Sequence, residues 1–186
     1  MIYLIRHGET EWSRSGQHTG RTDIPLTDEG RRGGAAIGRY LAGRPLCVYV
    51  SPLDRARETC AIAGYAAAAR VDSDLREWDY GVYEGRTTAD IRKDDPAWSV
   101  WLSTMSGGES LDQVAGRARA VIERAAGESG DVALFAHGHI LRVLAACWIG
   151  ISPLTGRYLA LDTASVSALG YERQTRVIRQ WNYTPE

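Results

Sequence analysis

The chain has 186 residues, of which 44% are hydrophobic and 24% charged, a composition that suits one globular domain with a core needing no covalent staples. Its 22 basic and 23 acidic side chains nearly cancel, which excludes a broad basic surface for nucleic acid or anionic lipid but not a local basic pocket. Cys47, Cys60 and Cys147 are few, odd in number and far apart; they read as buried thiols.

Ile2 to Ile5 is a short apolar strand that runs into Arg6 too soon for a signal peptide. No apolar stretch reaches bilayer-spanning length, so the chain is expected to be soluble and cytoplasmic. A helix is predicted from Asp28 to Leu41, although Gly30, Gly33, Gly34 and Gly38 each cost about 1 kcal/mol there relative to alanine. Such glycines would allow close packing on a sheet. Leu46 to Val50 is a second apolar strand, and Ser51-Pro52 reads as an N-cap and first-turn proline opening a helix to about Ala68. Val71 to Asp74 is a further strand. Ser110 begins another helix, with Gln113 at the capping-box position and Leu111, Val114, Ala118, Val121, Ile122 and Ala125 at helical spacing.

Val132 to Ala136 is the third strand without polar alternation. Beyond Gly150, strands are predicted at Tyr158 to Asp162, Val166 to Tyr171 and Arg176 to Trp181. Unbroken apolar strands belong to a parallel sheet covered on both faces. The expected fold is therefore α/β, a three-layer α/β/α sandwich whose central sheet is mostly parallel, with antiparallel strands at its edge. One domain is expected over residues 1–186. The segment from about 80 to 110, which holds Trp98 and Trp101, would form a short lid or a packed surface helix.

Polar residues collect at the strand ends. Arg6-His7-Gly8 ends the first strand, His137-Gly138-His139 ends the third, and Arg55 lies in the first turn after Leu46 to Val50. In an open parallel sheet these positions share the carboxyl edge, where ligands bind. Two histidines and two arginines on one rim call for a compact anion, and phosphate fits two guanidinium forks well. The helix amino termini near Arg55 and after His137 would add donors, and Gly8 and Gly138 would let the backbone approach the ligand. Arginines should lower the pKa of His7, keeping it neutral and nucleophilic, whereas a phosphate dianion should favour protonated His137. Glu77, first after the strand Val71 to Asp74, is the preferred general acid, its pKa raised by the neighbouring phosphate; Glu84 is second choice and Asp79 third. His7, His137 and His139 lack a short-spaced ligand pair, and Arg6 would repel a cation, so neither a metal nor another cofactor is expected.

These residues resemble the histidine phosphatase superfamily, which includes cofactor-dependent phosphoglycerate mutases. The resemblance runs from Ile2 to about Trp181 and rests on several pieces in order. They are Leu4-Ile5-Arg6-His7-Gly8-Glu9-Thr10, Thr19-Gly20 with Pro25-Leu26-Thr27, and Ser51-Pro52-Leu53-Asp54-Arg55-Ala56 with Thr59. Glu77 with Glu84-Gly85, Gly108-Glu109-Ser110 and Ala136-His137-Gly138 complete the set. It implies that His7 is the nucleophile, that Arg6, Arg55 and His137 complete a phosphate pocket, and that Glu77 is the proton donor.

The stretch from Trp12 to Gly20, and His137-Gly138-His139 followed by Arg142, are most similar to the broad-specificity acid phosphatase and sedoheptulose bisphosphatase-like branches. Ser13, Thr19 and Gly20, with Arg21 and Arg142, are the candidate substrate contacts. Ser13 stands where the mutases usually carry asparagine, and only five residues follow Trp181, so hydrolysis is expected over mutase activity.

The expected activity is a metal-independent phosphomonoesterase acting on sugar phosphates or similar metabolites through a phosphohistidine. Its partner would be a small-molecule phosphate ester, with no nucleic acid and no membrane; a homodimer stays open. Two other readings remain: a cofactor-dependent phosphoglycerate mutase, and a phospholigand-binding module with little turnover.

Overall fold

In the computed structural model, which describes residues 1–44 and 46–186, the unbroken apolar runs become the centre of a mixed sheet. In chain order the elements are β1 (Ile2–Arg6), α1 (Glu11–Ser15), α2 (Asp28–Leu41), β2 (Leu46–Val50), α3 (Asp54–Ile62), β3 (Ala69–Val71), α4 (Thr88–Asp94), α5 (Leu111–Ala126), β4 (Asp131–Ala136), α6 (Gly138–Trp148), β5 (Val166–Glu172) and β6 (Thr175–Tyr183). The sheet order is β3-β2-β4-β1-β5-β6. β1, β2, β3 and β4 pair in parallel, and β5 and β6 extend the sheet antiparallel beside β1.

Side-chain parity sorts the core into two layers, because successive strand residues face opposite ways. Ile2, Leu4, Val132, Leu134 and Ala136 pack with residues of α5 and α6. Tyr3, Ile5, Val48, Val50, Ala133 and Phe135 pack with α2 and α3. Both faces are therefore covered, as continuous apolar strands require. Residues 80–110 belong to the first layer: Tyr80, Ile91, Trp98, Val100 and Met105 are all buried in it. Among the described residues, no helix is long and apolar enough to cross a membrane.

Two helices begin and end as their residues dictate. α2 is capped by Thr27, whose side chain accepts from the Gly30 N–H. Its glycines do permit close approach, since a Cβ on Gly30 would lie 2.2 Å from the Glu9 carbonyl oxygen and one on Gly38 3.0 Å from Ala63. α5 opens on the expected Ser110–Gln113 capping box.

Three expectations fail. The helix after β2 starts at Asp54, not Pro52, and ends at Ile62, not Ala68. The Ser51 hydroxyl does accept from the Leu53 N–H beside His137, but Leu53 itself keeps extended backbone, φ −73° and ψ 136°, so the first turn waits until Asp54. At the far end Gly64, with φ of 89°, turns the chain, and the alanine run becomes a 3-10 turn leading into β3. Second, β3 stops at Val71 because the Asp72 side chain caps a 3-10 turn over Ser73–Leu75. Third, Tyr158 to Asp162 is not a strand. A 3-10 segment spans Pro153–Tyr158, and the following Leu159 and Leu161 pack against the core as loop residues.

Candidate active site

The parallel register brings the expected groups together. β1 and β4 lie side by side with Arg6 opposite Ala136, so His7 and His137 leave adjacent strand ends, their ring centroids 5.2 Å apart. β2 flanks β4 on its other side and delivers Ser51, then Arg55 in the first turn of α3. His7, Arg55 and His137 are all buried.

Their hydrogen bonds are informative for what they omit. His7 Nδ1 lies 2.7 Å from the Gly8 carbonyl oxygen. A carbonyl only accepts, so Nδ1 carries the hydrogen and Nε2 keeps its lone pair. Burial, then the charges of Arg55 and Arg6, hold the His7 pKa well below the usual histidine value. Arg6 spends Nη1 on the Leu161 carbonyl. Arg55 spends both Nη groups on the carbonyls of Thr19, Gly20 and Thr22. The Nε of each arginine, and Nδ1 of His137, are buried with no hydrogen-bond partner among the described residues. Unpaired buried polar groups are rare in native folds, and each calls for an explanation. Three of them belong to residues that share the strand-end cluster with His7.

Burial, and then Arg55 and His7, hold the His137 pKa well below the usual value as well. Ser51 resolves how it still donates. Its hydroxyl lies 2.7 Å from His137 Nε2, and a neutral ring that accepts there presents Nδ1–H to the cluster. In the sequence Ser51 reads only as a helix cap, because its partner His137 lies 86 residues away.

Glu77 closes the other side of the cavity and is buried. Its Oε2 accepts from the His139 N–H at 3.0 Å and its Oε1 from the Ile140 and Trp78 N–H groups at 3.0 and 2.9 Å. Burial alone would raise its pKa, but His139, His137 and these backbone donors hold it well below the usual carboxylate range. The rise expected of Glu77 would therefore have to come from the phosphate itself. For the same reason the amino terminus of α6 offers its His139 and Ile140 donors to Glu77, and the Asp54 N–H of α3 is taken by Asp23. Those donors, expected to serve the anion, are already engaged by carboxylates of the chain.

The loop bearing Glu77 is clamped by Arg117 of α5, which donates to the carbonyls of Asp74 and Arg76 at 2.7 and 2.9 Å and forks onto Glu109. Nothing in the local sequence marks Arg117, whose partners lie 41 and 43 residues away.

A cavity of about 170 Å³ opens over His7, lined by Arg6, Ser13, Thr19, Glu77, Gly138 and Arg142 among others. His18, Tyr80 and His139 also line it, with the Tyr80 hydroxyl 2.7 Å from His139 Nδ1. Arg142 is fixed by the carbonyls of Gly156 and Arg157 and stacks on Trp101. Arg21 and Gly20 lie elsewhere. They line a separate recess of about 70 Å³ behind Glu77, and Arg21, 79% exposed, pairs with Asp79. Gly8 is a correction too. A Cβ there would meet the Gly30 carbonyl oxygen at 2.3 Å, so its bareness serves α2 packing rather than ligand approach. Among the described residues no cluster of three or more histidine, cysteine or acidic side chains could hold a metal ion.

Comparison with known proteins identifies the family. The family model of the histidine phosphatase superfamily (branch 1) matches residues 2–184, and the chain belongs to that superfamily. It is 39% identical to an acid phosphatase of Mycobacterium tuberculosis over 94% of this chain and 88% of the relative. It is 37% identical to sedoheptulose 1,7-bisphosphatase of Saccharomyces cerevisiae, over 80% of this chain and 67% of that one. A mycobacterial glucosyl-3-phosphoglycerate phosphatase solved with VO3 superposes with a TM-score of 0.85 at 29% identity, covering 97% and 98% of the two chains. More distant, at 27% identity over 97% of this chain and 89% of the other, is a probable phosphoglycerate mutase of Salmonella. The chain is an enzyme of the phosphatase class.

Proposed function

We propose that this phosphatase is a metal-independent phosphomonoesterase of small phosphorylated metabolites, sugar phosphates among them, acting in the cytoplasm through a phosphohistidine. The observation that carries the reading is the set of unpartnered donors, Arg6 Nε, Arg55 Nε and His137 Nδ1, in one strand-end cluster with a neutral His7 whose Nε2 keeps its lone pair. Phosphoryl transfer depends above all on positioning and charge neutralisation, and these groups supply both.

The proposed reaction has two balanced halves. His7 Nε2 forms a bond to phosphorus as the ester P–O bond breaks, and Glu77 gives its proton to the leaving oxygen. Water then bonds to phosphorus as the N–P bond breaks, with Glu77 taking the water proton. Because Glu77 is held ionised by its neighbours, its first proton arrives with the substrate monoanion. Ser13, Thr19 and Arg142, which share the cavity, would face the alcohol portion. The higher identity to phosphatases than to the mutase, 39% and 37% against 27%, supports hydrolysis over transfer between hydroxyls.

The test is phosphate release from a panel of sugar phosphates, phosphoglycerates and nucleotides with EDTA present throughout. Release from one substrate class is the expected result. Isomerisation of phosphoglycerates with little free phosphate would establish a mutase instead, and binding without turnover a sensor module.

A further inference from the structure

Glu84 stands outside the cavity over His7, yet its carboxylate is tied to the site by an indirect route. Its Oε1 and Oε2 accept from the Gly20 N–H at 2.9 and 3.0 Å, and Oε1 also accepts from the Thr22 N–H at 3.1 Å. The same short loop turns its carbonyls the other way. Arg55 Nη2 donates to the oxygens of Thr19 and Gly20, and Nη1 to that of Thr22, all at 3.0 Å. The Thr19–Gly20 peptide group is therefore shared, its N–H on Glu84 and its C=O on Arg55. A single trans peptide points those two groups in opposite directions, so the carboxylate and the guanidinium grip it from either side and polarise it in the same sense. Glycine at position 20 is required, because a Cβ would lie 2.6 Å from Glu84 Oε2 and 2.8 Å from the Trp78 carbonyl oxygen.

We propose that Glu84 is the positioning residue of Arg55, acting through the Thr19–Gly20 peptide and the Thr22 N–H to lock both Nη groups and leave Nε facing the phosphate. The proposal rests on the reading of Arg55 as a phosphate ligand and assigns Glu84 a role other than proton donation, since Glu77 and not Glu84 lines the cavity over His7. The Arg55 side chain is fully buried, and the nearest carboxylate, Asp23, stands 3.8 Å away and is 43% exposed; its Oδ1 also holds the Asp54 N–H. A buried guanidinium without a close counter-ion needs its direction set by other means. Burial lowers the Arg55 pKa, and Glu84 is among the groups opposing that.

The experiment is a double-mutant cycle on binding of inorganic phosphate, read as competitive inhibition and by calorimetry, using Arg55→Lys, Glu84→Gln and the combined variant. Glu84→Gln keeps the shape but places an amide N–H against a backbone N–H, and should weaken phosphate about tenfold, the scale of one charge-assisted hydrogen bond. In the Arg55→Lys background the same change should have almost no further effect. Multiplying effects in the combined variant would overturn the proposal, since a merely structural role does not act through Arg55. A fall in kcat with a flattened pH profile and unaltered phosphate affinity would also overturn it, and make Glu84 a proton donor. Glu84→Asp, too short to bridge both N–H groups, repeats the cycle should Glu84→Gln fail to fold. Should Arg55→Lys alone leave phosphate binding unchanged, the reading of the phosphate site fails rather than that of Glu84.

Discussion

The strand-end cluster and the loop carrying Glu77 meet across one cavity, but their hydrogen bonding is opposite in kind. At the ends of β1 and β4, and in the first turn of α3, Arg6, His7, Arg55 and His137 are placed by backbone register, and three of their donor atoms have no partner. The loop from Asp72 to Gly85 has no strand or α-helix. Distant side chains such as Arg117 hold it, and Glu77 accepts three backbone hydrogen bonds. On one side of the site donors lack partners among the described residues, and on the other each oxygen of Glu77 already accepts. A ligand can therefore satisfy the first directly, whereas the second must exchange bonds or receive a proton before it can act.

The largest test of that contrast is His7→Ala, which should lower kcat by about a thousandfold or more, as expected for removal of a nucleophile. Phosphate release under saturating substrate measures it, and full activity would remove His7 from the mechanism. Glu77→Gln comes next. Loss of a general acid costs about 10²–10⁴ with an alkyl phosphate, and much less with an aryl phosphate whose leaving group needs no proton.

The pH dependence follows from the same two shifts. His7 is held neutral below the usual histidine range, so mild acid does not remove the nucleophile. Glu77 is held ionised, so its proton must come with the ester monoanion, whose second pKa is about 6. For an alkyl phosphate kcat/KM should therefore fall as pH rises through that value, and the fall should be shallower in Glu77→Gln. A flat wild-type profile from pH 5 to 8 would contradict the proton route. Ser51→Ala is the smallest of the three. Losing the partner of His137 Nε2 frees the ring to choose its tautomer, and phosphate affinity should drop about fivefold to tenfold. No change there would mean that the strand-end donors are not preset.

The same contrast explains what was legible in the sequence. β1, β2 and β4 stand out because a strand covered on both faces has no polar positions to confuse its pattern, and the residues after such strands inherit their placement. His7, His137 and Arg55 were readable on that ground. Glu77 was readable as a candidate, but not its charge, because His139 and Ile140 lie 62 and 63 residues away. Local misreadings share a cause as well. Ser51 looks like a cap until His137 arrives from another strand, and Leu159 and Leu161 look like strand residues until the core claims them as loop packing. Gly20 and Arg21 sit in a matching stretch, yet the first serves the peptide between Arg55 and Glu84 and the second faces solvent beside Asp79.

The vacant donors of Arg6, Arg55 and His137 have a consequence for throughput. In the proposed reaction they hold tetrahedral oxygens and nothing of the alcohol, so ester and free phosphate would satisfy them equally well. Whatever draws the ester in also detains the phosphate, and the resting occupancy of the site follows the free phosphate around it. Discrimination between one ester and another is left to the wall formed by His18, Tyr80, His139 and Arg142, which is also where a descendant of this fold could change its substrate without disturbing the phosphate seat.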